Sequence, residues 1–337
     1  MFWLTGPAGA VTIAMVLAAL AMLAAGVSPL AGFGALVGGA LGGKTQIAET
    51  LVQTTALLFP ALGIALAFRA GLFNIGAEGQ LVAGALVAGA IGAHLHVATP
   101  LAVIVLLAAG LLGGGFWGAI AGWMRARFHA NEVISTLMLN FVIAALANYL
   151  VSGPLRPSVA AGAETGVMAV REWWPLLVPQ TRLSIAFPIA LGVAALLWFA
   201  LNRMVFGYEV RALGQAPEAA RRSGVNVARM TLLAMTLSGA IAGAGGAAIV
   251  GGVLHRFNTE LSPGYGYTAI AVALVGDLNP LWICVAAFGF GVLEAGGLAM
   301  QASAGVPKDA IRVIEGLIVL VLAARRYITT RSESGTI

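Results

Sequence analysis

Three polar side chains stand close together in an otherwise apolar stretch, and they are the residues best suited to handling a polar solute. Asn74, Glu78 and Gln80 fall within the segment 71–80, which reads GLFNIGAEGQ. A polar group at bilayer depth is costly unless it pairs or lines a water-filled path, and glycine permits close backbone approach and a broken helix. We therefore expect these side chains to shape a gate or a translocation path. The alternative is that they only hydrogen-bond neighbouring helices.

Two further polar residues, Asn140 and Glu294, lie in apolar runs and are candidates for the same path. The amide of Asn140 is suited to a hydrogen bond between helices, whereas contact with a solute stays open for both residues. Arg312 and Glu315 are three residues apart, so we expect them to pair on one helix face as an internal salt bridge.

Motifs for enzyme chemistry are absent from the sequence. It contains no glycine-rich phosphate loop ending in Lys-Ser or Lys-Thr, no His-Glu-x-x-His and no Gly-x-Ser-x-Gly. His94 and His96 lack the further ligands that a metal site needs, which favours a solvated loop. The lone Cys284 is expected to be a small core residue. We predict no catalytic residue, no metal site and no cofactor bound by this chain.

Composition indicates an all-α integral membrane protein. Of 337 residues, 60% are hydrophobic and 9% are charged, whereas soluble domains carry roughly 25% charged residues. The mean hydropathy is +0.96, and the 45 glycines suit helices packed tightly in lipid. The basic balance does not indicate nucleic acid binding, because the sequence has no basic tract and its arginines lie mostly at the ends of apolar runs.

Apolar runs of about 20 residues predict about ten transmembrane helices in a single domain covering residues 1–337. The first is interpreted as a retained span rather than a signal peptide, because no lysine or arginine precedes it. The eighth is short and glycine-rich at its start, which predicts a broken or re-entrant segment. The patch 32–43 is expected at the interface. The predicted spans are 8–27, 49–69, 71–93, 99–123, 132–151, 184–204, 230–252, 265–276, 280–300 and 310–324.

Two glycine-broken segments are the pattern expected of a transporter built from internal repeats. Asn74-x-Gly76-x-x-Gly79 is similar to Ser262-x-Gly264-x-Gly266, and each precedes an alanine-rich span. The match is short, so chance similarity in a glycine-rich chain stays open.

The connection 203–229 between the sixth and seventh spans contains a short amphipathic helix in its segment 216–224, APEAARRSG. Pro217 suits a first helical position and Gly224 a C-terminal cap. One interpretation is a plain interfacial helix. The other is a docking element for a cytoplasmic partner, in which the small side chains of Ala219 and Ala220 allow close contact.

The same segment resembles the E-A-A-x-x-x-G loop of ABC importer permeases, which contacts the ATPase. The I-x-L-P tail of the maltose-type permeases is absent here. Instead, residues 71–80, 131–140 (NEVISTLMLN), 262–267 (SPGYGY) and 269–276 (AIAVALVG) resemble the ribose, branched-chain amino acid and nucleoside permeases. The form FNIGAEGQ, joined to EVISTLMLN, is most similar to the nucleoside (purine-type) permeases.

This resemblance implies a multi-pass permease subunit of an ATP-driven importer in the bacterial cytoplasmic (inner) membrane. It would translocate a small polar solute, a nucleoside before a sugar, that an extracytoplasmic lipoprotein delivers. Its implied partners are a second permease, which is a sister chain or a second copy, and an ABC ATPase with two cassettes in one chain that supplies ATP and Mg. The residues assigned to the ATPase contact are Arg211, Pro217, Glu218, Ala219, Ala220, Arg221, Arg222 and Gly224.

Two other functions stay open. An ion-gradient-driven secondary transporter would use Glu78, Glu294 or Glu315 as its proton site, and it would need no ATPase dock. The other remaining function is that of an integral scaffold or an intramembrane enzyme. The exact solute cannot be read from the sequence.

Arginine placement predicts the topology, and reporter fusions test it. The arginine-rich connections after spans four, six and ten share one face, which the excess of positive charge assigns to the cytoplasm together with both termini. The loop 152–183 is then external, although Arg156, Arg171 and Arg182 lie in it, and Trp173 and Trp174 are expected at the membrane interface. Fusions after Arg127, Arg222 and Arg326 should report cytoplasm, and one near Ser158 should report the exterior. An external signal at Arg222 would overturn the topology.

Overall fold

A computed structural model describes residues 28–158 and 162–305, together with Val16, Ala19, Leu20, Met22, Leu23, Gly26 and Gly316. The architecture in these residues is all-α. The α-helices are α1 (Pro29–Leu41), α2 (Lys44–Arg69), α3 (Ala77–Gly92), α4 (Thr99–Phe128), α5 (Glu132–Ser152), α6 (Ala186–Arg203), α7 (Val205–Gln215), α8 (Pro217–Arg222), α9 (Val227–Ile249), α10 (Tyr265–Val275) and α11 (Pro280–Ala304).

Six helices in the described part of the chain are long and apolar enough to cross a membrane, namely α2, α4, α5, α6, α9 and α11. Three shorter apolar helices are α1, α3 and α10. Eight of the predicted spans therefore coincide with a helix, whereas most of 8–27 and nearly all of 310–324, with Arg312 and Glu315, lie outside the described residues. The short eighth span is confirmed as α10.

The predicted span 71–93 is wrong in its first part. Residues 71–76 are not helical, and α3 begins only at Ala77. Gly71 has a φ of +72°, a left-handed conformation that glycine adopts without steric cost. The polar segment therefore lies where a helix is interrupted, which is why its side chains bond backbone groups that a helix would otherwise pair.

The chain divides into two compact units, residues 1–53 with 288–337 and residues 54–287. The expectation of a single domain stays a prediction. In the first unit, α1 packs closely on residues 296–300 of α11. A Cβ added to Gly39 would lie 2.1 Å from the Cβ of Ala299, and Met22, Leu36 and Met300 form a buried cluster.

In the second unit, three helices meet at Gly243 of α9. A Cβ on Gly84 of α3 would lie 2.4 Å from the Cα of Gly243, and one on Gly114 of α4 would lie 2.6 Å from the same atom. Gly110, Gly114 and Gly118 recur every four residues and form one small-residue stripe on α4. Because lipid gives apolar helices little hydrophobic drive to associate, close backbone packing supplies the attraction between them.

Gly243→Ala tests this packing. Its Cβ would lie 2.3 Å from the Gly110 carbonyl oxygen, so the backbones must separate, and overpacking of this kind costs typically about 1–3 kcal/mol. We expect a lower thermal unfolding midpoint for the purified protein. Gly192→Ala in α6 is the matched control, because a Cβ there meets nothing within 4 Å. Equal midpoints for the two variants would contradict the assignment.

Candidate functional site

The two short helices α3 and α10 begin at the same point, which we call the junction (residues 76–80 and 264–267). A Cβ on Gly266 would lie 2.3 Å from the backbone nitrogen of Glu78, so only glycine allows this approach. The Gly266 N–H donates to the Glu78 carboxylate at 2.7 Å. Glu78 lies in the first turn of α3, so one negative charge faces the positive ends of two helix dipoles.

Ser262 extends this arrangement on the side of α10. Its hydroxyl oxygen accepts hydrogen bonds from the backbone of Gly264 at 3.3 Å and Tyr265 at 3.0 Å. The same side chain hydrogen-bonds to Glu78. The free N–H groups that begin α10 are therefore satisfied by Ser262 and Glu78 together.

From the junction, α3 and α10 run towards different parts of the second unit. The end of α3 lies against Phe257, through Gly89, and against Met168 of the loop 152–183, through Gly92. The chain after α10 lies near the arginine-rich connection. There Leu278 accepts a hydrogen bond from Arg69 at 2.8 Å, and the carbonyl of Arg69 abuts Gly214 of α7. Two broken segments thus start at one point and lead to opposite faces under the predicted topology.

Asn74 and Gln80 form a buried pair of side chains at the α3 side of the junction. The Asn74 amide donates to Gln80 at 2.8 Å and to the Ser238 hydroxyl at 2.8 Å. Its oxygen accepts from Gln80 at 3.1 Å and from the Gly76 N–H at 3.0 Å. Both donors and both acceptor positions of Asn74 are thereby used, and the residue is 0% exposed. Asn74 and Gln80 are thus held in place by hydrogen bonds, and we call this pair the frame of the site.

Asn140, from α5, bridges both broken segments. Its oxygen accepts the Gly79 N–H at 2.9 Å. Its amide donates to the Ile75 carbonyl at 3.0 Å and to the Tyr267 hydroxyl at 3.1 Å. One side chain thus fixes the start of α3, the interrupted backbone before it and the first turn of α10.

Three residues of this network were missed by the sequence reasoning. Thr136 accepts the Ile75 N–H at 3.3 Å, Ser238 bonds Asn74, and Tyr267 bonds Asn140. Tyr267 is 43% exposed within this chain, so it presents an aromatic face beside a buried amide. The position of Tyr267 in the SPGYGY segment could have identified it from the sequence. Thr136 and Ser238 are single hydroxyl residues in apolar spans, which is a weak signal.

Glu294 belongs to the other compact unit, where it is buried on α11. Its assignment to the path stays a prediction.

The connection between α6 and α9 forms two helices rather than one, α7 and α8. Gly224 has a φ of +87° and follows α8 as predicted for a cap, while Glu218 and Arg221 form an exposed pair at 3.7 Å. Arg211 donates to the carbonyl of Leu201 near the end of α6, which ties α7 to that helix. Ala219 is exposed.

The expectation that Ala220 faces a partner needs correction. Ala220 is only 3% exposed, and its carbonyl accepts the Val225 N–H at 3.0 Å. Its methyl group is therefore packed within this chain. The surface of α8 that is open to a partner consists of Pro217, Glu218, Ala219, Arg221 and Arg222.

The known family and proteins that this chain resembles are transport permeases. The family described as branched-chain amino acid transport system / permease component matches residues 46–323. A guanosine ABC transporter permease protein of Bacillus subtilis is 33% identical, with 94% of this chain and 92% of that protein covered. A glucose ABC transporter permease protein of Haloferax volcanii is 30% identical over 95% of this chain and 87% of its own length. A nucleoside ABC transporter permease protein of Lactococcus lactis is 30% identical, with shares of 95% and 90%. No solved structure matches the chain.

Two substitutions at Glu78 separate its charge from its hydrogen-bonding role. Glu78→Gln keeps an oxygen that can accept the Gly266 N–H and an amide group that can hydrogen-bond to Ser262, so its main loss is the interaction with the helix dipoles, typically about 0.3–1 kcal/mol and up to about 2 when partly buried. Glu78→Leu leaves that N–H without its partner, at about 1–3 kcal/mol. We expect a larger drop in thermal midpoint for Glu78→Leu. Equal midpoints in the two variants would show that Glu78 does not hold the junction.

Proposed function

This chain belongs to the family of branched-chain amino acid transport system permease components, and we propose that it is the membrane-spanning subunit of an ATP-driven importer of nucleosides. Its relatives at 30–33% identity are ABC transporter permeases whose names specify guanosine, nucleosides or glucose. The solute is therefore proposed as a nucleoside first and a sugar second. The junction of α3 and α10 is the observation that carries the transport role.

The junction is proposed to be the gate. Two helices that meet end to end block the route between the faces to which they lead, and parting Gly266 from Glu78 would open it. The contact is close but depends on few groups, namely the Glu78 carboxylate with its bonds to Gly266 and Ser262, and the Asn140–Tyr267 bond. The saturated Asn74–Gln80 pair stays in place as the frame against which α10 moves.

A continuous set of contacts links the docking helix to this gate. α8 follows α7 directly, and α7 abuts the end of α2 through Gly214 and the carbonyl of Arg69. The side chain of Arg69 bonds the carbonyl of Leu278, just after α10. A displacement of α8 by a bound ATPase would therefore reach α10, and through it Gly266. These contacts support the coupling proposal because each step between helices is a direct chain connection, a close backbone approach or a hydrogen bond.

The remaining parts of the importer are proposed from the family. They are an ABC ATPase, with two cassettes in one chain, that binds ATP and Mg, a second permease, and an extracytoplasmic lipoprotein that delivers the solute. The assembly would lie in the bacterial cytoplasmic membrane. Glu78 already accepts hydrogen bonds from Gly266 and Ser262, which favours a structural role for its carboxylate over a proton-carrying one.

Ala219→Trp tests ATPase docking at the exposed face of α8. A bulky side chain at a close contact costs typically about 1–3 kcal/mol, or roughly a tenfold loss of affinity or more. We expect the ATPase to be lost on co-purification, and uptake of labelled guanosine by cells to stop, while the thermal midpoint of the permease is unchanged. In the wild-type assembly, guanosine uptake should exceed glucose uptake.

Two matched variants define the controls. Arg222→Ala removes an exposed charge at the edge of the surface, so it should weaken docking by about 0–1 kcal/mol, and by less in high salt, where that charge is already screened. Ala220→Trp should instead lower the thermal midpoint, because its methyl group is buried in this chain. Full ATPase retention and full guanosine uptake with Ala219→Trp would remove the support for an ATP-driven importer and favour the secondary transporter.

A further inference from the structure

The external loop is fastened to the chain that leads from α9 to the junction. At the end of α9 the helix widens over Val250–Leu254 into a π-helical turn, a feature that is frequent at functional sites. The loop donates three backbone hydrogen bonds to this region. Trp174 donates to the carbonyl of Gly251 at 3.0 Å, Met168 to His255 at 2.9 Å and Thr165 to Phe257 at 2.9 Å.

A cavity of about 500 Å³ lies beside this fastening, which we call the outer cavity. Its size falls in the range of small-molecule sites, roughly 300–1,000 Å³. The indole ring of Trp173 stacks on the imidazole of His255, with ring centres 3.8 Å apart and planes 5° from parallel. This stack gives Trp173 a partner in the fold, and its expected position at the membrane interface stays a prediction. The lining also includes Trp174, Thr99, Thr181, Arg182 and Gly252.

The outer cavity offers hydrogen-bond donors. The indole nitrogen of Trp174 has no hydrogen-bond partner, but it is buried and packs against Gly251, so it is not open to the cavity. Arg182, which is exposed, can only donate. The hydroxyls of Thr99 and Thr181 already donate to the carbonyls of Arg171 and Val178. Among the described residues that line the cavity, no side chain is acidic.

His255 contributes an uncharged ring to this lining. Burial lowers the pKa of His255 below its ordinary value, so the imidazole is neutral at pH 7 and stacks on Trp173 without a charge. The neighbouring Arg256 is paired with Glu164 at 3.2 Å, and Arg182 is the cation that lines the cavity. Flat aromatic faces and donor groups together suit a planar ring with acceptor atoms on its edge.

We propose that the outer cavity binds the nucleobase of the imported nucleoside before the solute reaches the junction. The inference rests on the proposed function, which supplies the external side and the nucleoside. A purine presents acceptor nitrogens and a carbonyl oxygen to the guanidinium of Arg182, and its flat face matches the aromatic residues that line the cavity. A free sugar has no flat face to place against these aromatic residues. An acidic side chain of a delivering protein would pair with Arg182 and leave the aromatic residues unused.

Equilibrium binding of labelled guanosine to the permease–ATPase complex in lipid nanodiscs, without ATP or binding protein, tests the proposal. Saturable binding is expected, and unlabelled ribose should not compete. Thr181→Trp fills the cavity and should abolish binding. Arg182→Gln removes a donor without filling space and should weaken binding roughly tenfold. Arg156→Gln, an exposed arginine of the same loop outside the cavity lining, should leave binding unchanged. The thermal midpoint of each variant shows whether it is folded.

Each outcome decides the matter. Guanosine binding that is unchanged in folded Thr181→Trp and in Arg182→Gln would overturn the outer site, as would competition by ribose equal to that by guanosine. Loss of binding-protein docking in Arg182→Gln with intact guanosine binding would show that the cavity serves a partner protein. ATP-dependent guanosine uptake by the wild-type assembly is measured in parallel. If uptake occurs without cavity binding, only the outer site fails, whereas absence of nucleoside uptake would reject the proposed function itself.

Discussion

A helix that is interrupted inside a bilayer leaves peptide groups without partners, and the second unit of this fold is arranged around satisfying them. Lipid offers no hydrogen bonds, so each unpaired N–H or C=O group must be bonded within the protein. The backbone at Ile75, Gly76 and Gly79 is bonded by Thr136, Asn74 and Asn140 in turn, and that of Gly266 by Glu78. The polar residues are therefore first of all substitutes for missing helical bonds.

Glycine makes that substitution possible, because the partners must come within hydrogen-bond reach of the backbone. The same property packs α3, α4 and α9 at Gly243 and places Gly266 on Glu78. The two contacts differ in how they are held. The packing of α3, α4 and α9 involves glycines along several helical turns, whereas the junction depends on one carboxylate and one bridging amide. This difference supports the proposal that the starts of α3 and α10 separate while the packed helices around Gly243 stay together.

Much of this architecture could be predicted from the sequence, because span length, apolar runs and arginine positions are local signals. The polar segment 71–80, the short α10 and the caps of α8 are of this kind. What could not be predicted depends on contacts between distant positions. Asn74 meets Ser238 across 164 residues, and Asn140 meets Tyr267 across 127. Likewise, the pattern of charges around Ala219 and Ala220 does not tell which methyl group faces inwards, since the packing of Ala220 depends on the fold of its neighbours.

The central claim is that transport requires the starts of α3 and α10 to separate, and a reversible cross-link across the junction tests it most directly. Cysteines replacing Ala77 and Tyr265 flank the Gly266–Glu78 contact, and Cys284, the one cysteine of the sequence, is replaced by serine. When the pair is joined by a short cleavable thiol reagent in the assembled transporter, guanosine uptake should stop and should return on reduction, while each single-cysteine variant stays active. Full uptake with the cross-link complete would contradict the account.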